Sequence, residues 1–353
     1  MTFGKASHLH LIDGSAFIFR AYHALPPLTR QSDGLPIGAV AGFCNMLFKQ
    51  VEAARGDDAP THVAVIFDYS GKSFRNDIYP DYKANRPPPP EDLVPQFPLT
   101  REATRAFNIA CVEKEGFEAD DIIATYARLA REAGGRVTII SSDKDLMQLV
   151  GGGVEMLEPI RNQRIDRDGV IAKFGVPPEK VVDVQALAGD SIDNVPGAPG
   201  IGIKTAALLI NEYGDLDNLL AHASEIPQPK RRQTLIEKAD QIRMSRELVR
   251  LDDHVPLDTP LDAFELRRPD PDVLLPFLAS MGFRTLTRRI AEVLGVESAD
   301  IPQPPEAPPA EGGDPAPDLP PIAPETYRRI DSRAALDEFI AQAWAMNSSS
   351  AAR

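Results

Sequence analysis

Short apolar runs alternate with stretches of helical spacing through the first half of the chain. HLHLID (8–13), HVAVIFD (62–68) and RVTIISSD (136–143) are compact aliphatic runs and read as strands. GAVAGFCNMLFKQVEAA (38–54) and ADDIIATYARLAREAG (119–134) repeat apolar residues at helical spacing, the second ending on a Gly stop; KDLMQLV (144–150) reads as a short helix. Strands of this length separated by helices predict an α/β fold, a parallel sheet with helices on both faces. The active site of such a sheet lies beyond the carboxyl ends of its strands. Asp13, Asp68 and Asp143 close the three runs, so topology predicts that they converge at that edge although they are distant in sequence.

The connection between the second strand and the next helix, SGKSFRNDIYPDYKANRPPPPEDL (70–93), is long enough to be functional rather than a simple link. It carries Lys72, Arg75, Lys83 and Arg86 with Tyr79 and Tyr82 interleaved, a mixture that suits a nucleic-acid strand through phosphate contacts and stacking. A solvated loop with Pro87–Pro90 as a stiff spacer fits the same composition. Residues 176–295 read as helical. Ten prolines between Pro302 and Pro324, few aromatics and acidic charge mark an extended linker. TYRRIDSRAALDEFIAQAW (326–344) then regains helical spacing before a polar tail, so the chain reads as truncated or fused, or as ending in a disordered tail. The expected organisation is a core over 1–175 that includes the excursion at 70–92, a helical subdomain over 176–295, a linker over 296–326 and a short remnant over 327–353.

Nine carboxylates decide the chemistry. Asp13 and Asp68 end strands; Glu118, Asp120 and Asp121 open a helix; Asp143 and Asp145 follow the third strand; Asp190 and Asp193 sit in GDSIDN. Each set alone has a structural reading, as helix caps or turn residues. Together, acids gathered at one edge repel one another unless hard cations lie between them, which points to a two-metal site acting on phosphate esters. In NVPGAPGIGIKTAALLI (194–210), Gly197, Gly200 and Gly202 make a tight turn into a helix that starts with Lys204 and Thr205, a place where backbone N–H groups can hold a phosphate. The spacing is not that of a Walker loop. Lys230, Arg231, Arg232 and Lys238 extend the basic surface or form a solvated helix face. Six histidines show no ligand spacing, and Cys44 and Cys111 cannot make a zinc site.

A net charge of −14 looks wrong for a DNA-binding protein until it is located. Eleven acids against four Arg from Glu292 to Arg353 account for half of it, and the nine clustered acids account for the rest. Cations bound there would leave a body able to hold a phosphate backbone. No run approaches the ~18 apolar residues of a membrane span, and the first residues lack a signal pattern; a cytoplasmic, nucleoid-associated protein without membrane partners is expected.

LIDGSAFIFRAYHALPPL, FDYSGKSFRNDIYPDYKANRPPPPEDL, GFEADDIIAT, SSDKDLMQLV and GDSIDNVPGAPGIGIKTA occur in that order over about residues 8–295. The chain thereby resembles the 5′-nuclease (5′-3′ exonuclease) domains at the N-terminus of bacterial DNA polymerase I, members of the flap endonuclease family. YRRIDSRAALDEFIAQAW resembles the opening of the proofreading-type domain that follows there. The resemblance implies a PIN-like α/β core with a helical arch and a helix-hairpin-helix (three-helix) clamp. It implies that Asp13, Asp68, Glu118, Asp120 and Asp121 hold a first ion and Asp143, Asp145, Asp190 and Asp193 a second, Mg²⁺ or Mn²⁺. It also implies that Arg75, Lys83 and Arg86 steer the 5′ strand and stabilise charge on the scissile phosphate, with Tyr82 offered to an unpaired base. Arg20 and Tyr22 match residues near the phosphate and duplex junction, and Gly197 to Lys204 match a clamp that commonly binds K⁺. The implied substrates are flapped or branched DNA and RNA–DNA primer junctions, cut by a monomer during primer removal and repair. A PIN-type ribonuclease and a non-catalytic DNA-binding module are the rival readings; the first leaves the Gly-rich clamp unexplained and the second predicts missing acids.

Overall fold

In the computed structural model, residues 2–53 and 59–302 are described; they fall within one compact unit, Met1–Glu306. The linker and the remnant expected beyond residue 302 lie outside the described residues. In chain order the elements are β1 (His8–Asp13), α1 (Gly14–Ala24), α2 (Gly38–Ala53), β2 (His62–Ile66), the single-turn α3 (Arg75–Ile78), α4 (Gln96–Ala106), β3 (Ala110–Val112), α5 (Ala119–Glu132) and β4 (Arg136–Ile140). A 3₁₀ turn over Asp145–Leu149 leads to β5 (Val154–Glu158) and β6 (Gln163–Ile165). Helices follow: α6 (Arg167–Phe174), α7 (Val181–Ala188), α8 (Ile203–Tyr213), α9 (Leu216–Ala221), α10 (Pro229–Glu237), α11 (Ala239–Val249), α12 (Pro271–Ser280) and α13 (Arg284–Leu294).

The sheet runs β3-β2-β1-β4-β5-β6; the first five strands pair in parallel, and β6 returns antiparallel to β5. Alternation along the central strands feeds two cores. Leu9, Leu11, Ala64, Ile66, Val137 and Ile139 face α5 and the α7–α11 helices, while Ile12, Val63, Val65 and Ile140 face α1, α2 and α12–α13. Helices therefore cover both faces, as the near-continuous apolar strands require. The chain builds outward from β1 to β3 and then crosses to β4 on the other side of β1. The crevice beyond the carboxyl ends of β1 and β4 is thus the switch point of the sheet, where open α/β sheets bind their ligands. Asp13 ends one of these strands and Asp143 follows the other.

Two features differ from the sequence expectation. The sheet gains β3 and β6, at three residues each too short to register as periodic runs, and β5, whose VEMLE is interrupted and ended by acids instead of forming an aliphatic run. The excursion at 70–92 holds one helical turn, α3, and otherwise proceeds by turns, because Pro80 and Pro87–Pro90 cannot sustain a helix and Lys83 takes a left-handed backbone at φ 59°. The region 176–295 is helical, with α7–α11 joining one core and α12–α13 the other. Among the described residues, no helix is long and apolar enough to cross a membrane.

Candidate active site

At the switch point, Asp13 accepts from the Ala16 N–H (2.9 Å), capping α1, and from Ser141 Oγ (2.7 Å). Asp68 accepts from Ser15 Oγ (2.6 Å) and from the Ala119 N–H at the start of α5 (2.9 Å), which draws the end of β2 and that helix together. Asp143 and Asp120 complete this group. Burial above all, with repulsion from Asp68 and Asp143, raises Asp13 to about 6. Burial followed by Asp143, Asp13 and Asp68 pushes Asp120 well above the usual carboxylate range. Acids held this way are unfavourable as anions, and a hard divalent cation is the partner that reverses the sign of the problem. The donor set, oxygens alone, fits a hard divalent cation.

A second group adjoins it. Glu118, Asp120, Asp145, Asp190 and Asp193 line one small cavity with Arg75 and Tyr82. Here cations sit among the acids. Lys83 Nζ lies 2.8 Å from Glu118 and 3.9 Å from Asp193, Arg86 donates to Asp193, and Lys144 donates to Asp190 at 2.6 Å. Burial works to raise Glu118, but Lys83 and then Arg75 outweigh it and hold it low. Lys144 does the same for Asp190 against its burial. Among the described residues Asp145 has no such ion pair; burial and Asp143 lift it to about 7 against the opposing charge of Lys144. Among the described residues, the trio whose ligand atoms all close to within 4.8 Å is Asp252, Asp253 and His254, three consecutive, partly exposed residues outside these groups.

Five residues take other positions than the resemblance implies: Asp143 falls with the first acid group and Glu118 with the second, and Arg75, Asp121 and Tyr82 are turned inward. Arg75 is 1% exposed and Asp121 fully buried, and they form a bidentate pair with both N–O distances at 2.7 Å. Arg75 also donates to the carbonyls of Leu248 (2.7 Å) and Arg250 (3.0 Å), while Asp121 accepts from the N–H groups of Glu118 and Asp252. With their polar atoms so engaged, Arg75 does not face a passing strand, and Asp121 does not join the acid basin; the pair ties α3 and α5 to the end of α11. Tyr82 is 6% exposed, its hydroxyl directed to Glu118 (3.3 Å) and Asp193 (3.4 Å), so its ring is not free to stack on a base.

Open aromatic surface lies next to the basin. A groove of about 980 Å³ is lined by Phe19, Phe67, Tyr69, Phe97 and Pro87–Pro90 together with Asp68, Lys83, Arg86 and Glu118. Phe19 is 41% and Tyr69 51% exposed. Sequence reasoning missed both, although Tyr69 directly follows a strand-end acid. It also missed Ser15, Ser141 and Lys144, each of which stands beside one acid in the chain but holds another that is distant in sequence, Asp68, Asp13 and Asp190 respectively. Lys72 is exposed beside this groove's Gly71, Arg20 is half-exposed on α1, and Tyr22 donates from its hydroxyl to Asp92 at 2.9 Å. On the other side of Asp190, a reciprocal bridge to Val195 (2.9 and 2.7 Å) fixes the start of the Gly-rich turn. There Gly197, at φ 56°, packs against Gly189 so closely that a Cβ would lie 2.4 Å from the Gly189 nitrogen. Gly200 is also left-handed, at φ 79°. α8 begins after Gly202 without a side-chain cap, next to exposed Lys204 and half-buried Thr205, leaving its first N–H groups for a ligand.

Two carboxylate groups at the switch point of an α/β sheet, flanked by Lys83, Arg86 and Lys144 and by an uncapped helix start, define a metal-dependent nuclease. Comparisons agree with the geometry. Family models described as the 5′-3′ exonuclease N-terminal resolvase-like domain and C-terminal SAM fold match residues 8–175 and 176–272. A 5′-3′ exonuclease of Aquifex aeolicus is 35% identical over 285 residues, covering 81% of this chain and 96% of the relative. The chain belongs to the 5′-3′ exonuclease family. A DNA polymerase I of Rhizobium leguminosarum is 61% identical over 300 residues, which are 84% of this chain but 30% of that relative. Among solved structures, the fold is shared with the T5 5′-exonuclease carrying bound zinc (TM-score 0.60, 19% identity, 81% of this chain and 99% of that one). It is also shared with the catalytic core of Rad2 in complex with a DNA substrate (TM-score 0.54, 17% identity, 82% and 92%).

Proposed function

We propose that this chain cuts phosphodiester bonds at 5′ ends and flap bases of branched DNA and RNA–DNA primer junctions, as the N-terminal part of a DNA polymerase I acting in primer removal and repair. The observation that carries this is the convergence of both acid groups on one crevice between an arch-side groove and a clamp-side turn. Asp13, Asp68, Asp120 and Asp143 would hold one divalent ion, and Glu118, Asp145, Asp190 and Asp193 a second, Mg²⁺ or Mn²⁺. When bound, such ions supply an acidified water as nucleophile and a positive field for the transition-state charge.

The chain's own residues supply the rest. Lys83, held in a left-handed turn by its N–H to the Asp193 carbonyl (2.9 Å), presents its ammonium group at the mouth of the basin. Aimed there, it stabilises charge developing on the scissile phosphate, and Arg86 adds to it. The groove walls of Phe19, Tyr69 and the prolines receive unpaired bases by stacking without reading sequence. Duplex is gripped through backbone phosphates at the turn preceding α8, where the segment Gly197 to Lys204 would hold K⁺ and so add positive charge facing the phosphates, and structure rather than sequence is selected. The chain works as a cytoplasmic monomer.

The test is a labelled 5′-flap duplex and a single-stranded RNA of matching length, each incubated with the protein with and without Mg²⁺. Metal-dependent cutting of the flap at its base supports the reading. Preferential cutting of the RNA, or flap binding without any cut, refutes it in favour of a ribonuclease or a non-catalytic module.

A further inference from the structure

We infer that Gln185 is a positioning residue for Asp145 and through it sets the affinity of the second divalent-ion group; this rests on the two-ion reading above. Gln185 stands on α7 in the run VVDVQALA, among buried Val181, Val184, Ala186 and Leu187, and is itself 3% exposed. An amide in such a helix loses its hydration and must find partners inside the protein. Nε2 finds one: it donates to Asp145 Oδ1 at 2.5 Å. Oε1 is buried with no hydrogen-bond partner. A side chain chosen for packing or stability would not strand an acceptor in this way, because the unpaired carbonyl loses its solvation without return. The arrangement makes sense if the residue serves the carboxylate it holds.

Asp145 needs such an orienter. Its N–H donates to Asp143 Oδ1 (2.9 Å), so its backbone is tied to the first group. Among the described residues, its carboxylate has no ion pair of the kind that Lys83, Arg86 and Lys144 make with Glu118, Asp193 and Asp190. Gln185 is the contact that fixes the rotamer, leaving the other oxygen free to face the basin. Partners of this kind orient a ligand and are typically worth ~10- to 100-fold in metal affinity. α7 also ends at Gly189, against which the clamp turn packs, so the orienter and the clamp share one rigid helix.

The experiment uses the whole chain as wild type, Gln185→Met and Gln185→Asn. Met keeps the volume without the donor; Asn keeps the amide but is one methylene too short to reach, and stands in if Met disturbs packing. Free Mn²⁺ is followed by electron paramagnetic resonance during titration, and single-turnover flap cleavage is measured against Mg²⁺ concentration. The expected result is an Mn²⁺ affinity lowered ~10- to 100-fold at one site and an Mg²⁺ half-saturation raised to match. Cleavage recovers at saturating Mg²⁺, and flap binding in Ca²⁺ is unchanged. Titrations superimposable on the wild type for either folded variant overturn the inference. Failure of the underlying reading would look different, as wild-type protein that neither binds two Mn²⁺ nor cuts.

Discussion

Replacing Arg75 by Met separates the role implied by the resemblance from the role the fold gives it. The side chain is 1% exposed, pairs bidentately with fully buried Asp121 at 2.7 Å, and caps the carbonyls of Leu248 and Arg250. Removing one partner of such a pair strands a buried charge, a loss of about 3–5 kcal/mol. With an unfolding entropy of about 2.1 cal/mol/K per residue over roughly 300 ordered residues, the melting temperature should fall by about 5–8 °C. The double variant Arg75→Met/Asp121→Leu should recover much of this, since an apolar pair replaces the ion pair. Recovery stops short because the N–H groups of Glu118 and Asp252 lose their acceptor. Calorimetry in EDTA reads the stability, and flap binding in Ca²⁺ at several salt concentrations reads the electrostatics. Wild-type melting together with weaker binding and a shallower salt slope would refute the reasoning, since that is how an exposed phosphate-steering cation behaves.

Lys83→Ala removes an aimed donor from the mouth of the basin, and single-turnover cleavage should slow by about 10²–10³ with flap affinity nearly intact; an unchanged rate would contradict its assignment. Asp13 and Asp145 stand at about 6 and about 7, above their ordinary value of 3.8. Groups raised on folding contribute stability that is complete below the unfolded value and lost as pH rises through the folded one. In EDTA the melting temperature should therefore decline between pH 5 and pH 8, and added Mg²⁺ should restore it more at pH 8 than at pH 5, where the protonated acids bind metal poorly. Gly197→Ala places a Cβ 2.4 Å from the Gly189 nitrogen on a backbone at φ 56°, so the turn must shift; duplex binding should weaken while Mn²⁺ binding by the Asp13 group persists, as gel shift and metal titration would read.

Much of the fold could be read from local pattern. β1 spans His8–Asp13 and α2 starts at Gly38, both as their apolar spacing predicts, because buried strands and amphipathic helices write their period into sequence. β3 and β6, at three residues each, carry no period to read; they exist because a neighbouring strand offers them a ladder. That the 70–92 excursion holds only one helical turn follows from its prolines, which local reasoning noticed but did not apply to the arch.

Sequence alone determined which residues can do chemistry here, since acids at strand ends and glycines in a tight turn are local facts. It also determined the edge at which Asp13, Asp68 and Asp143 meet, because parallel topology follows from strand–helix alternation. Only the tertiary structure decided how neighbouring acids divide their work: Asp120 faces the basin and Asp121, one residue on and about 100° around α5, is locked to Arg75. It likewise buried Tyr82 and opened Phe19 and Tyr69. Burial and charge pairing depend on what distant segments bring within a few ångströms, and nothing in the local spacing of residues encodes that.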